Sequence, residues 1–299
     1  MAMAPYSTWR LLIGAACAVA VGLVGGCVTT APSNPPAAGQ GGAGLPQTVK
    51  DKGELVIGSE LSTPPLTYLD TDGKTVKGLN HELAQALGAK LGIKVTFAQY
   101  AFAGLIPAVQ SGKVDLAMDI INDTKERQGL VDFVDYLRNG TTILLKKGNP
   151  EGVRVLTDLC GRSVAAVRGS VQIGLVEKAS ATCAAQGRPA ITVNQYANPP
   201  EARLQVQTGK NTAFLGNTPV MLYLAKNADG GTAFEAATAE RYLEQPVGLI
   251  FAKGNAQLRD TVLGALAQLW ADGTYARLLD QYGLRDLALE RPTVNGAAG

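Results

Sequence analysis

From Lys50 onward the chain alternates strand-length apolar runs with helix-patterned segments, and it does so in two passes. In the first pass "ELVIGS" reads as a strand and "NHELAQALGAKLG" as a helix with Leu83, Leu87 and Leu91 on one face and Gly92 to end it. "IKVTFA" is the next strand, "GLIPAVQSG" a short helix and "KVDLAM" a further strand. "TTILLKK" is a longer strand, after which the alternation restarts through "RSVAAV", "SVQIGLVEKASATC", "AITVNQY", "PPEARLQVQTG", "NTAFLG" and "TPVMLYLAKN". "PVGLIFAK" reads as a returning strand, followed by two amphipathic helices in "NAQLRDTVLGALAQLWADGTYARLLDQYG". Alternation of this kind favours a largely parallel sheet with helices on its faces. Two such units separated by two extended crossings imply two lobes with a cleft between them. At 299 residues the chain is long enough for that.

Ligands of open α/β sheets sit outside the carboxyl ends of the strands. Four polar residues, Glu60, Arg127, Ser170 and Asn217, follow such ends. The stretch "MDIINDTKERQGLVDF" is the most telling, because it leaves a buried strand, turns, and presents a fixed positive charge at Arg127 before becoming apolar again. A solitary arginine is ordinarily a solvated surface group. At a strand end facing a cleft it is a candidate partner for an anion.

Other classes find little support. The net charge is +2, with no basic run and no interleaving of basic and aromatic residues, so no nucleic acid partner is expected. The single histidine, His81, excludes most histidine-based metal sites and is the one residue able to serve a catalytic triad. It falls on the polar start of a helix and reads as solvated. No metal or cofactor is expected.

The segments "GKTVKGLNHELAQALGAKLG", "FAGLIPAVQSGKVDLAM", "DTKERQGLVDFVDY", "VAAVRGSVQ" and "LWADGTYARLLDQYGL", in this order, resemble the family 3 extracellular solute-binding proteins, the amino-acid receptors of ABC importers. The resemblance covers about residues 50 to 285. It implies an α/β, two-lobed periplasmic-binding-protein-like fold (type II), with a two-strand hinge near Gly140–Ile143 and Glu244–Gly248. Residues 50–141 would begin lobe one, 142–245 form lobe two, 246–290 return to lobe one with the C-terminal helices, and 291–299 be a tail. It also implies an amino acid or related carboxylate as ligand, a membrane permease as partner, and a monomer. Arg127 matches the family's clamp for a ligand carboxylate, and Phe102 an aromatic that packs on the ligand. Gly169, Ser170 and Gln172 match a lobe-two loop offering backbone N–H and hydroxyl groups.

The N-terminal region has its own resemblance. Arg10 precedes an apolar run of 16, "LLIGAACAVAVGLVGG", and "LVGGC" resembles the lipobox of bacterial lipoproteins. It implies a signal peptide over 1–26, cleavage before Cys27, lipidation there, and anchoring on the extracytoplasmic face of the membrane. Residues 27–49, rich in proline, glycine and small polar residues, read as a flexible tether. Cys17 would then be removed and Cys27 lipidated. Cys160 and Cys183 remain as a pair in an exported chain, which suits a disulfide.

The chain departs from the family at the ligand's ammonium. Asn217 stands where an aspartate is usual, Asp119, Ile120 and Asn122 where small residues such as serine are usual, Thr63 where the first loop has an aromatic, and Val171 in place of a second hydroxyl. Glu60 stands where relatives binding cationic side chains carry an acid. Two ligand readings stay open. In one, Asp119 takes the ammonium and Glu60 a second positive group, giving a polar or cationic amino acid. In the other the ammonium is missing or modified, as in an opine, a betaine or an organic acid. Separately, a pairing of Asp119 with Arg127 would weaken the assignment of Arg127 to a ligand carboxylate. Two rival functions stay open as well: a dehydratase of cyclohexadienyl type with Glu60 or Asp119 as general acid, and a sensor acting through a membrane receptor.

Overall fold

In the computed structural model the described residues are 44–297. The expected signal peptide, Cys17, Cys27 and most of the tether lie outside them. The described residues form one compact unit. Its main sheet has the strand order β5-β1-β6-β11-β7-β10-β8-β9. These strands are β1 (Glu54–Ser59), β5 (Lys94–Gln99), β6 (Leu116–Ala117), β7 (Val131–Lys146), β8 (Ser163–Val167), β9 (Thr192–Tyr196), β10 (Ala213–Asn217) and β11 (Phe234–Ala252). A small antiparallel sheet joins β2 (Ser62–Thr63), β3 (Thr67–Leu69) and β4 (Val76–Lys77). The helices are α1 (Gln47–Lys52), α2 (Leu79–Leu91), α3 (Leu105–Gln110), α4 (Lys125–Gln128), α5 (Val171–Ala185), α6 (Pro199–Gln207), α7 (Thr218–Asn227), α8 (Ala256–Ala271) and α9 (Thr274–Gln281).

β1 lies parallel to β5 and β6, and β8 parallel to β9 and β10, so each pass of the alternation builds its own parallel set. The connecting helices bury the faces their patterns predict. Leu79, Leu83, Leu87 and Leu91 of α2 are all buried, and Gly92 ends the helix in the left-handed conformation at φ 66°. Gly78, just before α2, has φ 112°, and a Cβ there would run into the Leu66 carbonyl, so only glycine suits this approach.

Two long antiparallel strands join the two sets. β7 pairs with β11 from Val131↔Ala252 to Lys146↔Phe234. Its first half also pairs with β12 (Ala288–Val294), and its second half with β10. From the sequence only the second half, "TTILLKK", reads as a strand, because Arg138, Asn139, Gly140, Thr141 and Thr142 interrupt the apolar pattern. One strand continues through them because it serves both halves of the sheet. The β7–β11 register breaks between Ala237 and Tyr242, between Tyr242 and Gln245, and between Val247 and Gly248. The last two breaks fall at the expected hinge of Glu244–Gly248, and bulged pairing is where a two-strand connection bends most easily.

Two expectations about the ends need correction. The tether does not reach residue 49. Leu45 and Val49 are each 2% exposed within the core, Gln47–Lys52 is helical, and the Thr261 hydroxyl donates to the Gly44 carbonyl at 2.7 Å. Two leucine- and valine-sized side chains one helical turn apart bury enough apolar surface to dock the segment. Nor do residues 291–297 of the expected tail leave the fold. β12 runs to Val294, and the Gly296 and Ala297 amides donate to Asp135 and Asp123 at 2.8 and 3.0 Å. Burial, and then the neighbouring Asp123, push the Asp135 carboxyl up to about 7.

The second parallel set is stapled by the expected disulfide. Cys160 and Cys183 are joined with their Cα atoms 5.7 Å apart, tying α5 to the turn ahead of β8.

Candidate functional site

Between the two parallel sets lies a cavity lined by residues of both. Its walls come from the strand ends: Glu60 and Thr63 after β1, Asp119, Ile120 and Asn122 after β6, Ser170 after β8, and Asn217 closing β10. Phe102, Arg127, Gln172, Val171, Phe214, Val220 and Met221 complete much of the lining.

Arg127 sits on the short helix α4, whose N-cap Thr124 accepts the Arg127 amide at 3.2 Å. Its guanidinium donates to the Asn122 carbonyl at 2.9 Å and, across the cleft, to the Gly169 carbonyl at 3.0 Å. Its Cζ lies 5.6 Å from the centroid of the Phe102 ring. It makes no ion pair with any described carboxylate, so the pairing of Asp119 with Arg127 is not formed. Burial lowers its pKa to about 10, which leaves it fully charged at neutral pH. A half-buried cation that satisfies only backbone carbonyls has donors left over for a carboxylate.

Asp119 is fully buried and already supplied with donors. Its oxygens accept from the Ser59 hydroxyl at 2.7 Å, the Glu60 amide at 2.8 Å, the Ile120 amide at 2.8 Å and the Thr63 hydroxyl at 3.3 Å. Burial raises its pKa, and these four donors act against the rise. A ligand ammonium would have to join a filled shell.

Glu60 has the opposite character. It is 4% exposed, and its Oε1 has no hydrogen-bond partner. Burial, and then the charge on Asp119, push its pKa up to about 8.

The opposite wall contains no ionisable side chain. Asn217 Oδ1 accepts from Asn139 Nδ2 at 2.8 Å and from Gln172 Nε2 at 3.3 Å, while Asn139 Nδ2 also donates to Asn122 Oδ1 at 2.8 Å. Gln172 Nε2 donates onward to the Thr141 hydroxyl at 3.0 Å. A chain of four carboxamides thus spans the hinge strand β7 and links the two sides. The Ser170 hydroxyl, at the N-cap of α5, and the Asn122 Nδ2 are buried without partners. Each costs free energy until something hydrogen-bonds to it.

The structure brings the expected Glu60, Phe102, Asp119, Asn122, Arg127, Ser170, Gln172 and Asn217 to one cavity. Gly169 contributes a carbonyl to Arg127 and is not part of the lining. Sequence reading missed Asn139, the centre of the amide chain, and the apolar wall of Phe214, Val220 and Met221. His81 lies apart from the cavity, half-buried against Phe97 and Gln85.

Two α/β sets joined by a pair of long strands, with a cavity lined by polar strand-end residues between them, define a two-lobed binding protein of the type II periplasmic class. The family described as "Bacterial extracellular solute-binding proteins, family 3" matches residues 55–285, and this chain belongs to it. Its members are extracytoplasmic, and no helix among the described residues is long and apolar enough to cross a membrane. The arginine-binding protein ArgT of Corynebacterium glutamicum is 25% identical, the match covering 84% of this chain and 81% of that protein. The L-cystine-binding protein TcyJ of Escherichia coli K12 is 28% identical over 80% of this chain and 86% of that protein. Among solved structures, an ancestral arginine-binding protein bound to glutamine superposes with a TM-score of 0.69 at 32% identity. It covers 77% of this chain and 97% of that one.

Proposed function

We propose that this protein captures a small polar carboxylate, an amino acid of polar or cationic type, by closure of its two lobes and delivers it to the permease of an ABC importer. The observation that carries this reading is Arg127: a buried-side cation bonded to carbonyls from both sides of the cleft, stacked near Phe102, with no carboxylate of its own. A ligand carboxylate would meet it through charge-assisted bonds while Ser170 and Asn122 supply the partners they lack. Ligand contacts from both lobes favour the closed form only through their differential affinity for it. The named ligands of relatives, arginine and cystine, support an amino acid as the class.

The chain is further read as lipid-anchored through Cys27, which lies outside the described residues, with the folded part held by a tether on the extracytoplasmic face. It is read as a receptor and not an enzyme. Glu60 could hold a proton for general acid chemistry, but its buried Oε1 suits ligand pairing equally, and the relatives compared are binding proteins.

A thermal-shift screen of the soluble form, with amino acids, di-cationic amines, opines, betaines and organic acids, tests the reading. A true ligand at ~100 times its dissociation constant stabilises by about 2.7 kcal/mol and raises the melt by several degrees. Shifts confined to compounds without a carboxylate would remove the role of Arg127. Shifts confined to carboxylates without an α-ammonium would replace the amino acid by another acid.

A further inference from the structure

The cavity holds three ionisable side chains, Arg127, Asp119 and Glu60, and all three belong to one wall. Asp119 accepts from two amides and two hydroxyls, donors that favour its carboxylate form against the rise that burial imposes, and Arg127 is a cation bonded elsewhere, to the Asn122 and Gly169 carbonyls. With Asp119 as the carboxylate, those two charges cancel. The charge of the empty site therefore depends on one group, the carboxyl of Glu60, whose buried Oε1 points at no protein donor.

We infer that Glu60 is a proton-gated charge selector: with its proton on, the cavity accepts an amino acid of no net charge, and with its proton off, one carrying a net positive charge whose distal cation takes the proton's place. This deepens the amino-acid reading above and rests on it. In either state the closed site and its ligand sum to zero. Any other combination would bury an uncompensated charge, which is strongly disfavoured in a desolvated site.

The surroundings of Glu60 support the gate. It is shared between the inner cavity and an outer chamber lined by Ser62, Gln99, Tyr100 and Asn198, so a displaced proton has a way out. The titratable or charged groups facing it are Asp119 from the β6 end, Arg127 from α4 and the Tyr100 phenol after β5; the facing lobe-two segment, Ala197, Asn198 and Pro200, has none. Burial together with Asp119 holds the carboxyl protonated up to about pH 8. Binding of a cationic ligand must expel that proton. Its apparent affinity therefore rises as pH rises toward that value, by about tenfold per pH unit. A neutral ligand gains nothing over the same range.

Arginine and citrulline, matched in shape and differing by one charge, are the probes. Titration calorimetry between about pH 5.5 and 7.5 should show the ratio of arginine to citrulline affinity rising by roughly 100-fold. In two buffers of different ionisation enthalpy, arginine binding should release about one proton and citrulline binding none. Glu60→Gln should abolish the slope. The inference is overturned if the ratio is flat across the range, or if the slope survives in Glu60→Gln. Should that variant fail to fold, the proton count of the unmodified protein decides alone. Binding of both probes without pH dependence overturns the selector and spares the amino-acid reading. Binding of neither at any pH overturns the selector, and the thermal-shift screen then decides the amino-acid reading on its own.

Discussion

The two walls of the cleft differ in kind. The wall built from the β1, β6 and α4 ends carries every ionisable group of the cavity, while the wall built from the β8 and β10 ends presents a serine, carboxamides and apolar side chains. The difference follows from what each must do as the lobes close. Charges are costly to desolvate, and a moving lid that carries none loses little hydration as it closes. The charged wall is thus suited to hold the ligand first, and the neutral wall to cover it. Closure then strengthens every interaction of the charged wall by excluding water around it.

If the walls divide the work in this way, the largest effect belongs to Arg127. Arg127→Ala would leave a ligand carboxylate buried against no cation, and should cost roughly 3 kcal/mol or more, about a 100-fold loss of affinity. Calorimetry with whichever amino acid the thermal screen identifies measures it. Lysine should restore only part, because a point charge cannot donate as a planar fork to the two carbonyls and a carboxylate together. Unchanged affinity in Arg127→Ala would erase the distinction between the walls.

A second effect is confined to the neutral side and should leave ligand choice alone. The Cys160–Cys183 bond closes a separation of 23 residues within that lobe, away from the cavity lining. Opening it by reduction, or by Cys160→Ser with Cys183→Ser, should remove about 3 kcal/mol of stability. The melt should fall by about 10 °C, with little change in relative affinities among ligands. An equal melting temperature after verified reduction would mean that the bond restrains nothing that unfolding releases.

What the sequence reveals of the two walls is also uneven. Arg127 and Glu60 are legible because a fixed charge just past an apolar strand demands a reason. The role of Asp119 is not legible, because its donors Ser59 and Thr63 lie about 60 and 56 positions away and reach it only through the parallel pairing of β1 and β6. Asn139 is hidden for a related reason. Inside β7 it looks like one more polar break in a strand, and its partners Asn122 and Asn217 come from opposite sides of the hinge. β12 escapes because "ALERPTV" carries a proline, which argues against an interior strand but is tolerated at an edge. The strand–helix order, by contrast, is local patterning, and it is readable almost residue by residue in β1 and α2.

The smallest effect is the sharpest probe of the neutral wall. Asn217 carries no charge, and its Oδ1 is already shared by Asn139 and Gln172, so it has little to give a ligand ammonium. Asn217→Ala should therefore cost only about 1 kcal/mol in binding, the net worth of a neutral hydrogen bond and far below Arg127→Ala. Asn217→Asp asks the converse. It places a carboxylate in the uncharged wall, where a ligand α-ammonium could meet it, and it leaves a buried charge when no ligand is present. The variant should melt lower than the parent without ligand and gain most from ligands with two cationic groups, so arginine should shift its melt more than citrulline does at the same pH. If Asn217→Ala instead lost as much affinity as Arg127→Ala, the amide chain across β7 would be a primary ligand contact, and the picture of a charged holder beneath a neutral cover would give way to two walls of equal standing.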